Sequence, residues 1–209
     1  MIIVNFSTKE FKVGQRRLFA SLNGCRYLGF NDYDQIGSPT HQESPYEFKL
    51  GAIEKGFEQD DIVLWCDSSL WRVGDLSIIE ELIKQDGYFF SEAGAWVGDW
   101  TNQFTRDYFK LTAEEAKVPN GYCMFSAGLT GLNKNSPLAM EFFRQWKAAA
   151  KAGCFKGDWS NHRHDMSSGS IIASRLGMKY QRGGQHMGYV GDGYPNPEPN
   201  IVFKLQGIV

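Results

Sequence analysis

The residues most able to do chemistry stand at polar breaks in an otherwise apolar pattern. The sharpest break is Asp67, which ends the run Asp61-Ile62-Val63-Leu64-Trp65-Cys66 and leads into Ser68 and Ser69. A carboxylate at the end of a buried strand is held by a rigid element yet faces a crevice. There it can bind a hard divalent cation through oxygen, which neutralises charge on a leaving group without moving a proton. It can equally cap the turn into residues 68–75. Asp165 precedes the apolar positions Ile171, Ile172 and Leu176. It reads as a helix N-cap, where the unpaired amides and the dipole stabilise a carboxylate. His162 and His164 flank Arg163, and on an extended segment the two rings would point the same way. They could meet a metal, a substrate or solvent. His186 follows Gly183-Gly184-Gln185, a loop able to fold over an anion and present a metal ligand, or simply solvated.

These residues need elements to position them. Apolar runs at Ile2–Phe6, Arg26–Phe30, Asp61–Cys66, Tyr88–Phe90 and Met124–Leu132 read as strands. Phe11, Leu18, Phe19 and Leu22 recur at helical spacing, with Gly24 as a stop. Ser44-Pro45-x-Glu47 predicts a helix start, with Phe48, Ala52, Ile53 and Phe57 on its apolar face. Asp75 caps a helix bearing Ile78, Ile79, Leu82 and Ile83, and Ser136-Pro137 opens one through Phe142, Phe143 and Trp146 to Gly153. A last helix closes at Gly177. Asn31–Asp34 reads as a polar turn, and 91–120 as turns and a short helix with a Thr112-x-x-Glu115 capping box. Gly183 to Asn200 reads as a loop and Ile201 to Val209 as an edge strand. This alternation predicts an α/β sandwich, a mostly parallel central sheet flanked by helices, spanning 1–209 as one domain that could belong to a longer polypeptide. In such sheets ligands bind at the carboxyl ends of strands. Ser7-Thr8, Asn31–Asp34 and Asp67–Ser69 all fall there.

Composition narrows the classes. The 209 residues carry 22 basic and 24 acidic side chains with no basic run, so no nucleic-acid partner is expected. No run of about 18 apolar residues occurs, so no membrane span is expected. The start is too short for a signal peptide, with Glu10 close behind. The cysteines, Cys25, Cys66, Cys123 and Cys154, form no C-x-x-C pair, which fits free thiols and a cytoplasmic protein. Aromatics make up 14% of the chain. That suits sugar stacking, and suits a rich core better.

Several segments together resemble GT-A nucleotide-sugar glycosyltransferases, the glycogenin-like and related families. DIVLWCDSSLW resembles the strand ending in their D-x-D motif. CMFSAGLTGLNKNSPLAMEFFRQW resembles their "F-N-A-G" strand and following helix. HRHDMSSGSIIASRLGMKY resembles their "D-Q" segment, and QHMGY the late metal histidine. The set is also similar to glycosyltransferase domains of large algal viruses. Ser69, Ser126 and Met166 stand where the family pattern has acid, asparagine and glutamine. The resemblance implies a UDP-sugar donor of UDP-glucose or UDP-rhamnose type and a glycan or protein-linked glycan acceptor. It implies Mn²⁺ or Mg²⁺ on Asp67, Ser69 and His186. Donor contacts would come from Asn5, Ser7, Thr8, Arg16 (or Arg17), Asp32, Cys66, Asp67 and Ser68. Asp165 would be catalytic, as base or as stabiliser of a cationic sugar. His162, His164, Asp99 and Trp100 are candidates to meet the acceptor, with Trp159 a further stacking candidate; for the tryptophans, packing is the simpler explanation. The competing reading is a metal-dependent phosphoesterase using Asp67, His162, His164 and Asp165. A non-catalytic carbohydrate-binding module fits poorly with α/β alternation.

Overall fold

The computed structural model describes residues 1–189 and 200–206. Its strands are β1 (Ile2–Phe6), β2 (Tyr27–Phe30), β3 (Ile62–Cys66), β4 (Leu70–Arg72), β5 (Tyr88–Trp96), β6 (Cys123–Asn133), β7 (Met187–Tyr189) and β8 (Phe203–Leu205). Five of them form the main sheet in the order β2-β1-β3-β6-β5. β2, β1 and β3 are parallel, with Val4 opposite both Leu28 and Trp65. β6 is antiparallel to both neighbours, so β5 runs with β3. The sheet is therefore mostly parallel with one reversed strand, an α/β fold as the alternation predicts.

Both faces of the sheet are covered, which is why its central strands read as continuous apolar runs. Side chains alternate, so neighbours in one strand serve different cores. Val4, Trp65 and Phe125 pack with α3 (Phe48–Phe57), α6 (Pro137–Lys151) and α7 (Asp165–Arg175) through Ile53, Phe142, Trp146 and Ile172. Ile3, Leu64 and Phe89 pack with α1 (Lys12–Ser21) and α4 (Ser77–Asp86) through Leu18, Ile79 and Ile83. Burying each such side chain stabilises by about 1.5–3 kcal/mol before entropy is set against it.

Several elements depart from the sequence pattern. The helix expected from Ser44 begins at Phe48, because Tyr46 takes a left-handed φ of 62° that no helix continues. Asn31–Asp34 is not a plain turn. Asp32 caps α2 (Tyr33–Ile36) in a capping box with Gln35, and Gly37 ends it. The strand at Tyr88 runs on to Trp96 because β6 pairs with it along that length, across two register shifts. Thr112 and Glu115 exchange their capping-box bonds on a turn rather than a helix. Asp75 accepts the Ser77 amide at 2.9 Å, one position before the cap residue Leu76 of α4. The expected loop from Gly183 contains β7, and its residues 190–199 lie outside the described residues. The expected edge strand is instead the middle strand of a second sheet, β4-β8-β7, while 207–209 lie outside the description. Hydrophobicity marks a strand but not its neighbours. Among the described residues all cysteines are unpaired and no helix is long and apolar enough to cross a membrane.

Candidate active site

The carboxyl end of β3 delivers Asp67 to one side of the sheet. Trp65 and Asp67 share a face, and the Trp65 indole Nε1 donates to Asp67 Oδ1 at 2.7 Å. Lys49 enters from the first turn of α3. Its Nζ lies 3.3 Å from Asp67 Oδ1 and 2.8 Å from Asp165 Oδ2, and donates to the Ala127 carbonyl at 3.1 Å. An ammonium has three donors, and each has a partner here. The Lys49 and Asp165 side chains are 3% exposed and Asp67 is 31% exposed. Burial alone would lower the lysine's pKa, but Asp165 and Asp67 outweigh it and hold it above the ordinary range. Burial pushes the Asp165 carboxyl up; Lys49 opposes this and Asp67 adds to it. With both acids ionised the cluster carries one negative charge in excess.

The turn beyond Asp67 is fixed from below. Asn5, fully buried at the end of β1, donates through Nδ2 to the Cys66 carbonyl at 2.6 Å and to Ser68 Oγ at 3.2 Å. Gly14 of α1 presses on this turn so closely that a Cβ there would lie 2.1 Å from the Ser68 carbonyl oxygen. Arg17 holds the Ser69 carbonyl at 3.3 Å. On the open side, no described residue bonds Asp67 Oδ2. Gly128 of β6 faces it, and a Cβ there would stand 3.0 Å away.

Asp165 is the first residue of α7, and its carbonyl accepts from the Trp146 indole at 2.9 Å. The chain reaches it through His164, whose φ of 48° with ψ of −115° is strained for a residue with a side chain. His164 Nδ1 bonds the Phe155 carbonyl at 2.8 Å, and its ring stacks on Trp159. His162 is fully buried: Nε2 bonds the Cys154 carbonyl at 2.9 Å and Nδ1 accepts the Asn102 amide at 3.4 Å. Both of its nitrogens are thus engaged by backbone, and burial lowers its pKa.

The structure brings Asp67, Asp165 and the supporting Asn5 and Ser68 together, with His164 immediately before Asp165 in the chain. It places others elsewhere. His186 is buried under Asn200, with its ring 5.9 Å from Phe89 in the core on the far face of the sheet. Cys66 is fully buried in that same core, and only its carbonyl supports the site. Arg16 is exposed and donates to Lys12 within its own helix; Arg17 is the arginine that reaches the turn. Asp32 is an exposed cap. Ser7 Oγ is buried without a described partner at the end of β1, beside Thr8, which starts a short 3₁₀ turn. Asp99 is exposed in a turn, and Trp100 lies over Arg163. Among the described residues no group of three or more His, Cys, Asp or Glu side chains could hold a metal by itself. The phosphoesterase reading therefore lacks its ligand set. Sequence reasoning passed over Lys49, Tyr46 and Trp65. Lys49 had a signal, since positions 49, 50, 52, 53 and 56 form the buried face of α3 and one of them is charged.

This architecture is shared with two solved structures. One is mouse xyloside xylosyltransferase 1 in its apo form, with a TM-score of 0.57 and 13% identity, covering 99% of this chain and 98% of that one. The other is a glycosyltransferase involved in the glycosylation of the major capsid of PBCV-1, with a TM-score of 0.56 and 11% identity, covering 98% of this chain and 93% of that one. The α/β sandwich of GT-A type implied by the sequence motifs is thus the fold observed. No protein-family model matches the chain, and no curated protein matches it in sequence.

Proposed function

We propose that this chain is a glycosyltransferase that moves a hexose-type sugar from a UDP-sugar, such as UDP-glucose or UDP-rhamnose, to a hydroxyl of a glycan or protein-linked glycan. The observation behind this reading is the buried Lys49–Asp67–Asp165 cluster at the carboxyl end of β3, in a fold shared with glycosyltransferases.

Transfer breaks the bond from the anomeric carbon to the diphosphate oxygen and forms one to the acceptor oxygen. The anomeric carbon becomes positive and the acceptor hydroxyl must lose its proton. An ionised carboxylate stabilises both changes, and Asp165 is the deeply buried one at this cluster. Lys49 opposes the upward push of burial on its carboxyl and orients it through the 2.8 Å contact. The cluster's excess negative charge would repel a diphosphate, which favours a cation arriving with the donor. Asp67 Oδ2, kept clear by Gly128, and the Ser69 hydroxyl fit Mn²⁺ or Mg²⁺, with the diphosphate and water completing the shell. When bound, that ion supplies positive charge against the departing diphosphate. Ser7 and Thr8 at the end of β1 are proposed for the nucleoside.

Thermal unfolding with UDP and Mn²⁺, separately and together, tests this reading. Both together should raise Tm, by an amount corresponding to about 2.7 kcal/mol at a hundredfold excess over Kd, while each alone does little. Absence of any shift at millimolar UDP with metal would sink it.

A further inference from the structure

Outward from Asp165 and Lys49 a row of aromatic rings runs to the surface. Tyr46 lies 5.1 Å from Lys49 Nζ, His164 lies 5.3 Å from Tyr46, and Trp159 lies 5.5 Å from His164, all to ring centroids. The three rings are inclined to one another by only 24–35°. They lead from the buried charges to the surface, where Trp159 is 51% exposed. Trp159 joins none of the hydrophobic clusters among the described residues. An indole left half in water is not explained by core packing.

Nor is this indole loosely held. The Arg163 guanidinium sits 4.3 Å from its ring and 3.5 Å from that of Trp100, and donates to the Trp159 carbonyl. The loop carrying it is pinned by Asp158, which accepts the Ser160 amide at 2.7 Å, and by the two backbone bonds of His162. His164 keeps a left-handed backbone, of a kind that costs about 1–3 kcal/mol and persists where surroundings enforce it. The result is a held indole at the surface end of a row of rings that begins at the buried charges.

We propose that Trp159 is the stacking platform for the acceptor, and that the acceptor's recognised portion is a pyranose ring offering its C–H face. This assignment rests on the glycosyl-transfer reading above. A sugar ring is polar at its edge and apolar on a face, so it needs a fixed aromatic plane plus nearby polar groups. Trp159 supplies the plane, and Arg163 stands beside it as the polar group. The platform also gives His162 a purpose its burial would otherwise hide: it positions the loop and does not touch the sugar.

The test uses the whole chain with Mn²⁺, the UDP-sugar it hydrolyses fastest, and a panel of 4-nitrophenyl glycosides as acceptors. Trp159→Ala should leave UDP binding and donor hydrolysis within about twofold, while raising the acceptor KM about five- to tenfold. Trp159→Phe should recover most of that loss, which a purely structural role would not predict. An unchanged acceptor KM in Trp159→Ala overturns the assignment. So does loss of UDP binding in that variant, which would move Trp159 to the nucleotide. A wild type that hydrolyses donor but glycosylates no member of the panel overturns the pyranose assignment. A wild type that neither binds UDP nor hydrolyses any nucleotide sugar instead refutes glycosyl transfer, and this inference falls with it.

Discussion

The two ends of the main sheet use the same residue types to opposite effect. At the amino ends of β1, β2 and β3, charges are matched one for one. The Met1 ammonium lies 3.3 Å from Asp60 and 3.7 Å from Glu80, Arg26 also pairs with Asp60, and Lys134 lies 2.8 Å from Asp61. Arg26 is 56% exposed, so water and salt screen most of what these pairs could contribute. At the carboxyl end one buried lysine serves two carboxylates, and the match is deliberately incomplete in charge. Charge-balanced pairs decorate a fold. A buried cluster with an excess charge costs stability, because desolvation is only partly offset, and it persists where chemistry needs it.

That contrast can be broken at its strongest point first. Lys49→Met removes the ammonium that the two carboxylates share and leaves them without it. It should destabilise by about 3–5 kcal/mol and lower Tm by roughly 10 °C. Adding Asp165→Asn should recover much of that loss; if the double variant is no more stable than the single, the charges are not coupled. Asp165→Asn alone should keep the fold and UDP–Mn²⁺ affinity but slow transfer by about 10²–10⁴-fold, read as product formed per enzyme. Unchanged turnover would reduce Asp165 to a helix cap.

Smaller effects come from groups nearer solvent. Glu115 is held down to about 2, first by Arg175, which grips it through two contacts of 2.9 Å each, with burial opposing. A lowered carboxylate contributes stability above its ordinary pKa near 4.5, and that contribution is lost as pH falls toward 2. Glu115→Gln should therefore cost roughly 1 kcal/mol at neutral pH, discounted for the exposure of Arg175, and nothing at pH 2. A pH-independent loss in urea titrations would contradict this. Smallest of all, Arg26→Ala at the amino end should change stability by under about 1 kcal/mol and fade further in 1 M salt. An effect as large as that of Lys49→Met would erase the difference between the two ends.

Much of the layout was legible because it rests on periodicity. β1, β3 and α6 announce themselves through apolar runs and, for α6, the Ser136-Pro137 start whose hydroxyl caps the Ala139 amide. Asp67 was legible for the same reason, as the charge that interrupts a run. Lys49 was harder, since its partners are 18 and 116 residues further along the chain, a distance no local pattern spans. His186 was misplaced by motif order: its loop returns beneath the sheet through β7 and β8, and pairing partners are not written in hydropathy. Tyr46 defeats the capping rule because a local left-handed turn wins over a favourable Ser-Pro start.

The reversal of β6 has a dynamic consequence. Because this strand runs against β3, the backbone beside Asp67 is that of its middle, not of a loop leaving its end. The Asp67 amide donates to Gly128 at 2.8 Å, and Lys49 grips Ala127 next door. Such a backbone cannot breathe without unzipping the central sheet. Amide exchange at Asp67 should accordingly follow global opening, with protection as long-lived as the deepest core, while the walls built on turns exchange sooner.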